Sequence, residues 1–248
     1  MLNRLNLKCW EPFLRKAKSD GGCPVKVVYG CPEGGTSIIY DDISKAKNIL
    51  VYGATGSGKS VFSHTLIKNV SMLNTAEEAR MVLADCKIVE FNRYKNSELL
   101  LCPIIDNGDE LLAKVRELIA ECLKRKEAVG DNDFESHRKK NDRNFPYILL
   151  IIDEYAGMAN KELNDALLEL MKNGFKYGIH IVLSAQTISG TVADIGFFKS
   201  FETIVCQANY EEKATRKLLG NYVELKGGGD SLVLRNRKLV RTQGLWVS

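Results

Sequence analysis

Asn48-Ile49-Leu50-Val51-Tyr52-Gly53-Ala54-Thr55-Gly56-Ser57-Gly58-Lys59-Ser60 is the stretch that decides the fold. A short apolar strand, Asn48 to Tyr52, runs into three glycines and then into Lys59 and Ser60. From Gly58 the apolar spacing changes, and Val61, Phe62, Thr65, Leu66, Asn69 and Val70 recur at helical intervals. Gly53 to Ser60 fits G-x-x-x-x-G-K-[ST] in full. Glycines at 53, 56 and 58 let the backbone fold tightly around phosphate oxygens, where a side chain would obstruct the N–H groups. The helix that starts near Gly58 points its positive end at the same phosphates. Lys59 would reach the β- and γ-phosphates, the Ser60 hydroxyl would ligate Mg²⁺, and Ala54, Thr55, Ser57 and Val61 complete the cradle.

Working outward, strand and helix alternate. Met81 to Ala84 reads as a strand, and Leu111, Leu112, Val115, Leu118, Ile119, Cys122 and Leu123 form one helical stripe. Tyr147 to Ile152 is wholly apolar, of the kind buried on both faces in a parallel sheet. Leu163, Ala166, Leu167, Leu170 and Met171 make a second stripe, followed by a strand from Ile179 to Leu183. Thr203 to Cys206 and Leu232 to Leu234 are further strands, with a short helix near Glu211 to Leu219 between them. Upstream, Val25 to Tyr29 and Ser37 to Tyr40 form a hairpin about Pro32, Gly34 and Gly35. This order predicts an open α/β sheet, mainly parallel, with helices on both faces. Residues 1–46 are expected to be a lead-in (1–24) and the hairpin, and residues 47–248 the main domain. The polar segment 124–146 lacks apolar periodicity and is expected to be a loop or mobile insertion.

The 248 residues are 45% apolar and 27% charged, ordinary globular values. No apolar run approaches the roughly 18 residues needed to cross a bilayer, so no transmembrane segment is expected. No apolar region follows the first basic residue, Arg4, which argues against a signal peptide. Seven cysteines, odd in number and never spaced C-x-x-C, fit reduced thiols rather than a zinc site or disulfide framework. These features predict a soluble, cytoplasmic chain. The net charge of +4 is too mild to argue for nucleic acid by itself. Two basic clusters stand out: Arg138, Lys139, Lys140 and Arg143, and the tail Arg235, Arg237, Lys238 and Arg241, which has no acid among its members.

Two further segments carry chemistry. The strand Ile148 to Ile152 ends in Asp153 and Glu154, and carboxylates at a buried strand tip need partners. Asp153 would complete the Mg²⁺ shell opposite Ser60, and Glu154 would orient or deprotonate the attacking water. The strand Ile179 to Leu183 runs into Ser184-Ala185-Gln186-Thr187. Ligands in such sheets bind at the carboxyl ends of strands, which places Gln186 beside the γ-phosphate.

Taken together, these residues resemble the motor domain of FtsK/SpoIIIE-type DNA translocases. The resemblance rests on the phosphate loop, Asp153 to Ala156, and Gly178 to Gln186. It extends to Asp85-Cys86-Lys87 with Glu90, which is like that family's D-P-K segment, and to the closing Val240-Arg241-Thr242-Gln243-Gly244. It implies a RecA-like P-loop NTPase core that assembles as a homo-oligomeric ring, usually a hexamer, around double-stranded DNA. ATP with Mg²⁺ would sit between subunits, and a trans arginine would complete each site. Arg216 falls where the family carries an arginine suited to that task. The sequence departs from the family at Phe175-Lys176-Tyr177 and at Thr187-Ile188-Ser189, where the family has an arginine and R-P-S.

The resemblance implies ATP-driven translocation of double-stranded DNA. The alternatives are a conjugative coupling ATPase, a type VII-like protein-secretion ATPase of the same superfamily, and a nucleotide-binding assembly module. The intact Lys59, Ser60, Asp153 and Glu154 oppose the last of these. For DNA, the segment after Gln186 offers Thr187, Ser189, Gly190, Thr191 and Lys199, which suit phosphate contacts rather than base reading. The tail residues Arg235, Arg237 and Lys238 are the rival surface.

Overall fold

The computed structural model describes residues 7–19, 22–32, 35, 37–140, 145–189 and 193–245. The chain opens with helix α1 (Leu7–Ser19), then β1 (Lys26–Pro32), β2 (Ile39–Asp42), a short α2 (Ile43–Ala46) and β3 (Ile49–Tyr52). Helix α3 (Lys59–Leu73), β4 (Ala79–Asp85), α4 (Gly108–Val129), α5 (Phe134–Lys140) and β5 (Tyr147–Asp153) follow. Next come α6 (Lys161–Asn173), β6 (Ile179–Ala185), α7 (Ile195–Lys199), β7 (Thr203–Gln207), α8 (Glu212–Leu219), β8 (Asp230–Arg235) and β9 (Lys238–Gln243).

The nine strands form one sheet in the order β2-β1-β9-β8-β7-β3-β6-β5-β4. From β7 to β4 the pairings are parallel, and β8, β9, β1 and β2 extend the sheet antiparallel. The register places Tyr52 beside Ala185 and Cys206, and Asp85 beside Asp153. Four carboxyl ends thus open on the same edge around the loop that leaves β3.

Alternation along β3 divides the core. Leu50 and Tyr52 pack on one side with Leu111, Leu163, Leu167 and Phe197. Ile49 and Val51 pack on the other with Phe62, Leu66, Ile67 and Val70 of α3. Because both faces are covered, β5 is buried along its whole length. The expected α/β fold with helices on both faces is what forms, and the hairpin of β1 and β2 pairs antiparallel as its pattern predicted.

The segment 124–146 departs from expectation. Helix α4 runs on to Val129, α5 follows, and Phe134 is buried. Apolar periodicity misses this because two inward positions hold arginines. Arg125 is 1% exposed and donates to Glu121, Pro146 O and Tyr177 O. Its guanidinium lies over the rings of Phe134 and Phe145, while that of Arg138 lies 4.7 Å from the Tyr147 ring centroid. The lead-in contains α1, whose Phe13 and Ala17 pack against Val28, Cys31 and Leu245. The expectations placed on Arg4, Gly34, Arg143, Gly190 and Thr191 lie outside the described residues. Among the described residues no helix is long and apolar enough to cross a membrane, and the six cysteines described as free include none in a disulfide.

Candidate nucleotide-binding site

The loop after β3 is held by backbone bonds to its neighbours. Gly53 N–H donates to Ala185 O at 3.2 Å and Ala54 N–H to Ala208 O at 2.8 Å. Ser57 O accepts from Gly229 N–H at 3.0 Å, and the Ser57 hydroxyl donates to Gln207 Oε1 at 3.1 Å. Gly58 caps α3 with φ of 119°, and a Cβ there would stand 3.1 Å from Gly229 N, so both backbone shape and space require glycine. The first N–H groups of α3 have no acceptor within the helix. Lys59, Ser60 and Val61, which open it, line a cavity of about 410 Å³.

The Lys59 ammonium is folded back on the loop, donating to Gly53 O at 2.8 Å and Ala54 O at 3.0 Å. Burial lowers its pKa, opposed by the carboxylates of Asp153 and Glu154. The N–H groups at the start of α3 beside it favour an anion.

The same cavity is lined by Asp85, Glu90, Asp153 and Glu154. Asp85 is committed to its own chain. Its Oδ1 accepts from Lys87 N–H at 3.0 Å, and its Oδ2 from Glu90 N–H at 2.8 Å and Phe91 N–H at 3.2 Å. Asp153 is 6% exposed, and burial pushes its carboxyl up, an effect the Ser184 hydroxyl opposes. The nearby acids Asp85 and Glu90 push it further, against Lys59. A desolvated carboxylate among acids fits a divalent cation. Among the described residues no group of three or more His, Cys, Asp or Glu is arranged to hold a metal. The Asp153 carboxylate and the Ser60 hydroxyl on this cavity are oxygen donors of the kind a hard cation such as Mg²⁺ takes.

Glu154 sits at φ 48°, ψ 57°, a left-handed conformation uncommon for residues other than glycine. Its Oε1 accepts from Gln186 Nε2 at 2.9 Å, and Thr55 Oγ1 donates to Gln186 Oε1 at 3.1 Å. Lys59, Ser60, Asp153, Glu154 and Gln186, drawn from two strand ends and one helix start, thus meet at one cavity.

Arg216 is not brought to that cavity. It lies on α8 with its side chain 55% exposed, paired with Glu212 at 2.9 Å and placed over the Tyr222 ring. The basic tail also differs from expectation. Arg235 is paired with Asp41 of β2, and Arg241 with Asp230 at 2.8 Å, so Arg237 and Lys238 are left as the tail's exposed members. Thr187 and Ser189 are both engaged by Glu211.

Two contributors escape motif reading, and a third lies in a quoted motif without a role. Gly228 lines the cavity from the turn before β8, 175 residues from Gly53 in the chain (228 − 53). Glu211 anchors the segment after Gln186, and no local pattern announces it. Lys87 places its ammonium 2.6 Å from Glu154 Oε2. Lys87 belongs to the Asp85-Cys86-Lys87 segment that carries the resemblance, where the sequence attaches no role to it.

A glycine loop between a central parallel strand and a helix, facing acids from the ends of β5 and β4 across β6, defines the P-loop nucleotide-binding class. Solved structures share the fold. The pCW3 conjugation coupling protein TcpA, in its monomer form with ATPγS, superimposes with TM-score 0.76 at 21% identity. That match covers 91% of this chain and 67% of the other. The cytoplasmic domain of the type VII secretion ATPase EccC from Thermomonospora curvata gives TM-score 0.74 at 21% identity, over 91% of this chain and 29% of that one.

Residues 24–187 match the FtsK/SpoIIIE family model, and the chain belongs to that family. DNA translocase FtsK of Listeria monocytogenes is 28% identical over 227 residues, covering 84% of this chain and 30% of the relative. DNA translocase SpoIIIE of Bacillus subtilis is 28% identical over 227 residues, 84% of this chain and 29% of the relative. The chain therefore spans under a third of the length of these two relatives.

Proposed function

We propose that this chain is the motor of an ATP-driven double-stranded DNA translocase. The observation that carries the reading is the meeting of Lys59, Ser60, Asp153, Glu154 and Gln186 at one cavity in a chain of the FtsK/SpoIIIE family. Lys59 leaves the carbonyls of Gly53 and Ala54 to hold the β- and γ-phosphates of ATP. Ser60 and Asp153 would hold Mg²⁺, which when bound would neutralise charge on the phosphates. Glu154 takes the proton of the attacking water, and Gln186 registers the γ-phosphate and passes its state to the segment that follows.

Residues 47–248 would form the motor domain proper, with 1–46 adding the lead-in and hairpin. A neighbouring subunit in a ring, as a hexamer, would supply Arg216, since no arginine lines the cavity among the described residues. Duplex DNA would pass along the ring's inner surface in a cytoplasmic setting where ATP is available. The experiment is the ATPase rate with and without duplex DNA, alongside particle size with ATP. Stimulation together with a ring-sized particle is expected. Hydrolysis indifferent to DNA would turn the reading toward the protein-secretion branch.

A further inference from the structure

Lys87 and Gln186 share one acceptor. The Lys87 ammonium stands 2.6 Å from Glu154 Oε2, while Gln186 Nε2 donates to Glu154 Oε1 at 2.9 Å. Each oxygen of the carboxylate therefore carries a donor, and both donors line the cavity. A carboxylate engaged in this way keeps a lone pair on each oxygen, but on Oε2 the Lys87 ammonium competes with a water for it. Departure of the ammonium opens Oε2 to that water.

Lys59 and Lys87 differ in what they can do next. Lys59 is 8% exposed and is bonded to two carbonyls of its own loop. Lys87 has a side chain 60% exposed, with a long flexible stem. The backbone beneath it is fixed. Asp85 takes three N–H groups of the turn, and Asp85 O accepts from Ile88 N–H at 3.0 Å. Ile88 is held at φ 50°, a conformation that β-branched residues avoid and that persists only where the surroundings impose it. The turn is thus rigid and the ammonium movable. A group on that cavity with denser negative charge than one carboxylate would draw the ammonium away.

We propose that Lys87 is a γ-phosphate reader. Its ammonium rests on Glu154 and moves to the terminal phosphate of a nucleoside triphosphate, freeing Glu154 for water. A diphosphate lacks that group, so Glu154 stays engaged. Lys87 is a specificity-determining and positioning residue for triphosphate over diphosphate. This assignment rests on reading the loop at Lys59 as the phosphate cradle and Glu154 as the base.

Binding of ATPγS and of ADP, each with Mg²⁺, to the full chain tests it without turnover. Lys87→Met should weaken ATPγS about tenfold, the loss of one charged hydrogen bond, and leave ADP unchanged. Lys87→Arg should restore most of the ATPγS affinity. Glu154→Gln discharges the resting partner, so ATPγS should bind about two- to fivefold tighter. That gain should vanish in the Lys87→Met/Glu154→Gln double variant. Equal weakening of both nucleotides, or no weakening of either, overturns the proposal. Wild-type hydrolysis by Glu154→Gln would instead overturn the base reading, while the difference between ATPγS and ADP would still stand for Lys87.

Discussion

Tyr52, the last residue of β3, donates its phenol hydroxyl to Glu211 Oε2 at 2.8 Å. The same carboxylate accepts from Thr187 Oγ1 at 2.7 Å, from Ile188 N–H at 3.0 Å and from the Ser189 hydroxyl. One acid thus joins the strand feeding the phosphate loop, the segment after Gln186 and the start of α8. Burial alone would raise this carboxyl, but its donors outweigh that and hold it below the ordinary value of 4.5. With a depressed folded pKa, the stabilisation is present above the unfolded value and fades as pH falls through the folded one. Glu211→Gln should therefore cost about 1–2 kcal/mol at pH 7, a figure reduced for partial exposure, with the gap closing in acid. Urea unfolding at pH 7 and pH 4 measures it, and an equal gap at both would refute the role.

Asp153 titrates in the opposite sense. Burial holds its carboxyl up, so the fold binds that proton more tightly than the unfolded chain does. The stabilisation is present below the unfolded value of 3.8 and is lost as pH rises through the folded one. Without nucleotide or Mg²⁺, Asp153→Asn should melt a few degrees above wild type at pH 8, and the difference should shrink toward pH 4. Adding ATPγS with Mg²⁺ should reverse the order, because ligand binding stabilises the wild type more. A thermal melt series over pH decides both points.

Gly178 adopts the left-handed conformation at φ 74°, and an added Cβ would lie 2.2 Å from Phe134 Cε1. Gly178→Ala should destabilise by about 2–4 kcal/mol through backbone strain and overpacking together. The cost should be less than additive with Phe134→Ala, which removes the ring that clashes. Strict additivity in denaturant unfolding would mean that α5 is not seated at this position.

That contact shows where sequence reading stops. The phosphate loop, Asp153, Glu154 and Gln186 were legible because each is a strand end followed by its own chemistry within a few residues. Helix α5 was not, since Arg125 and Arg138 occupy inward positions and break the apolar stripe. Strand β9 was hidden as well: its position comes from pairing with β8 and β1, not from an apolar run of its own. The basic tail misled because its acids lie outside it, Asp41 standing 194 residues before Arg235 and Asp230 eleven before Arg241. Glu211 was illegible for the same reason, standing 159 residues from Tyr52.

Those ion pairs narrow the basic surface open to the proposed DNA contact. With Arg235 and Arg241 neutralised by Asp41 and Asp230, the tail keeps Arg237 and Lys238 exposed, and Lys199 is exposed at the end of α7. Lys199→Ala should weaken duplex binding about equally across sequences and shrink the salt dependence by roughly one phosphate contact. Titrations at several salt concentrations test this. An unchanged slope for Lys199→Ala, with a reduced one for Arg237→Ala/Lys238→Ala, would move the DNA path to the hairpin of β8 and β9.

Arg216 gives the sharpest test of the proposed ring. Its guanidinium is 55% exposed and tethered within its own chain by Glu212, an exposed i,i+4 pair that contributes little to stability. Such a pair yields readily to a stronger anion, and a triphosphate held by a neighbouring subunit is one. If Arg216 serves the adjacent site, hydrolysis should fall steeply on dilution, and Arg216→Ala should lower turnover by about 10³-fold or more with nucleotide affinity little changed. Lys59→Ala subunits cannot hold the phosphates but still carry Arg216, whereas Arg216→Ala subunits keep an intact cradle. Mixing the two inactive proteins should therefore restore part of the activity, at interfaces where an intact cradle faces an intact arginine. Turnover independent of concentration, with no recovery on mixing, would assign hydrolysis to a self-sufficient monomer.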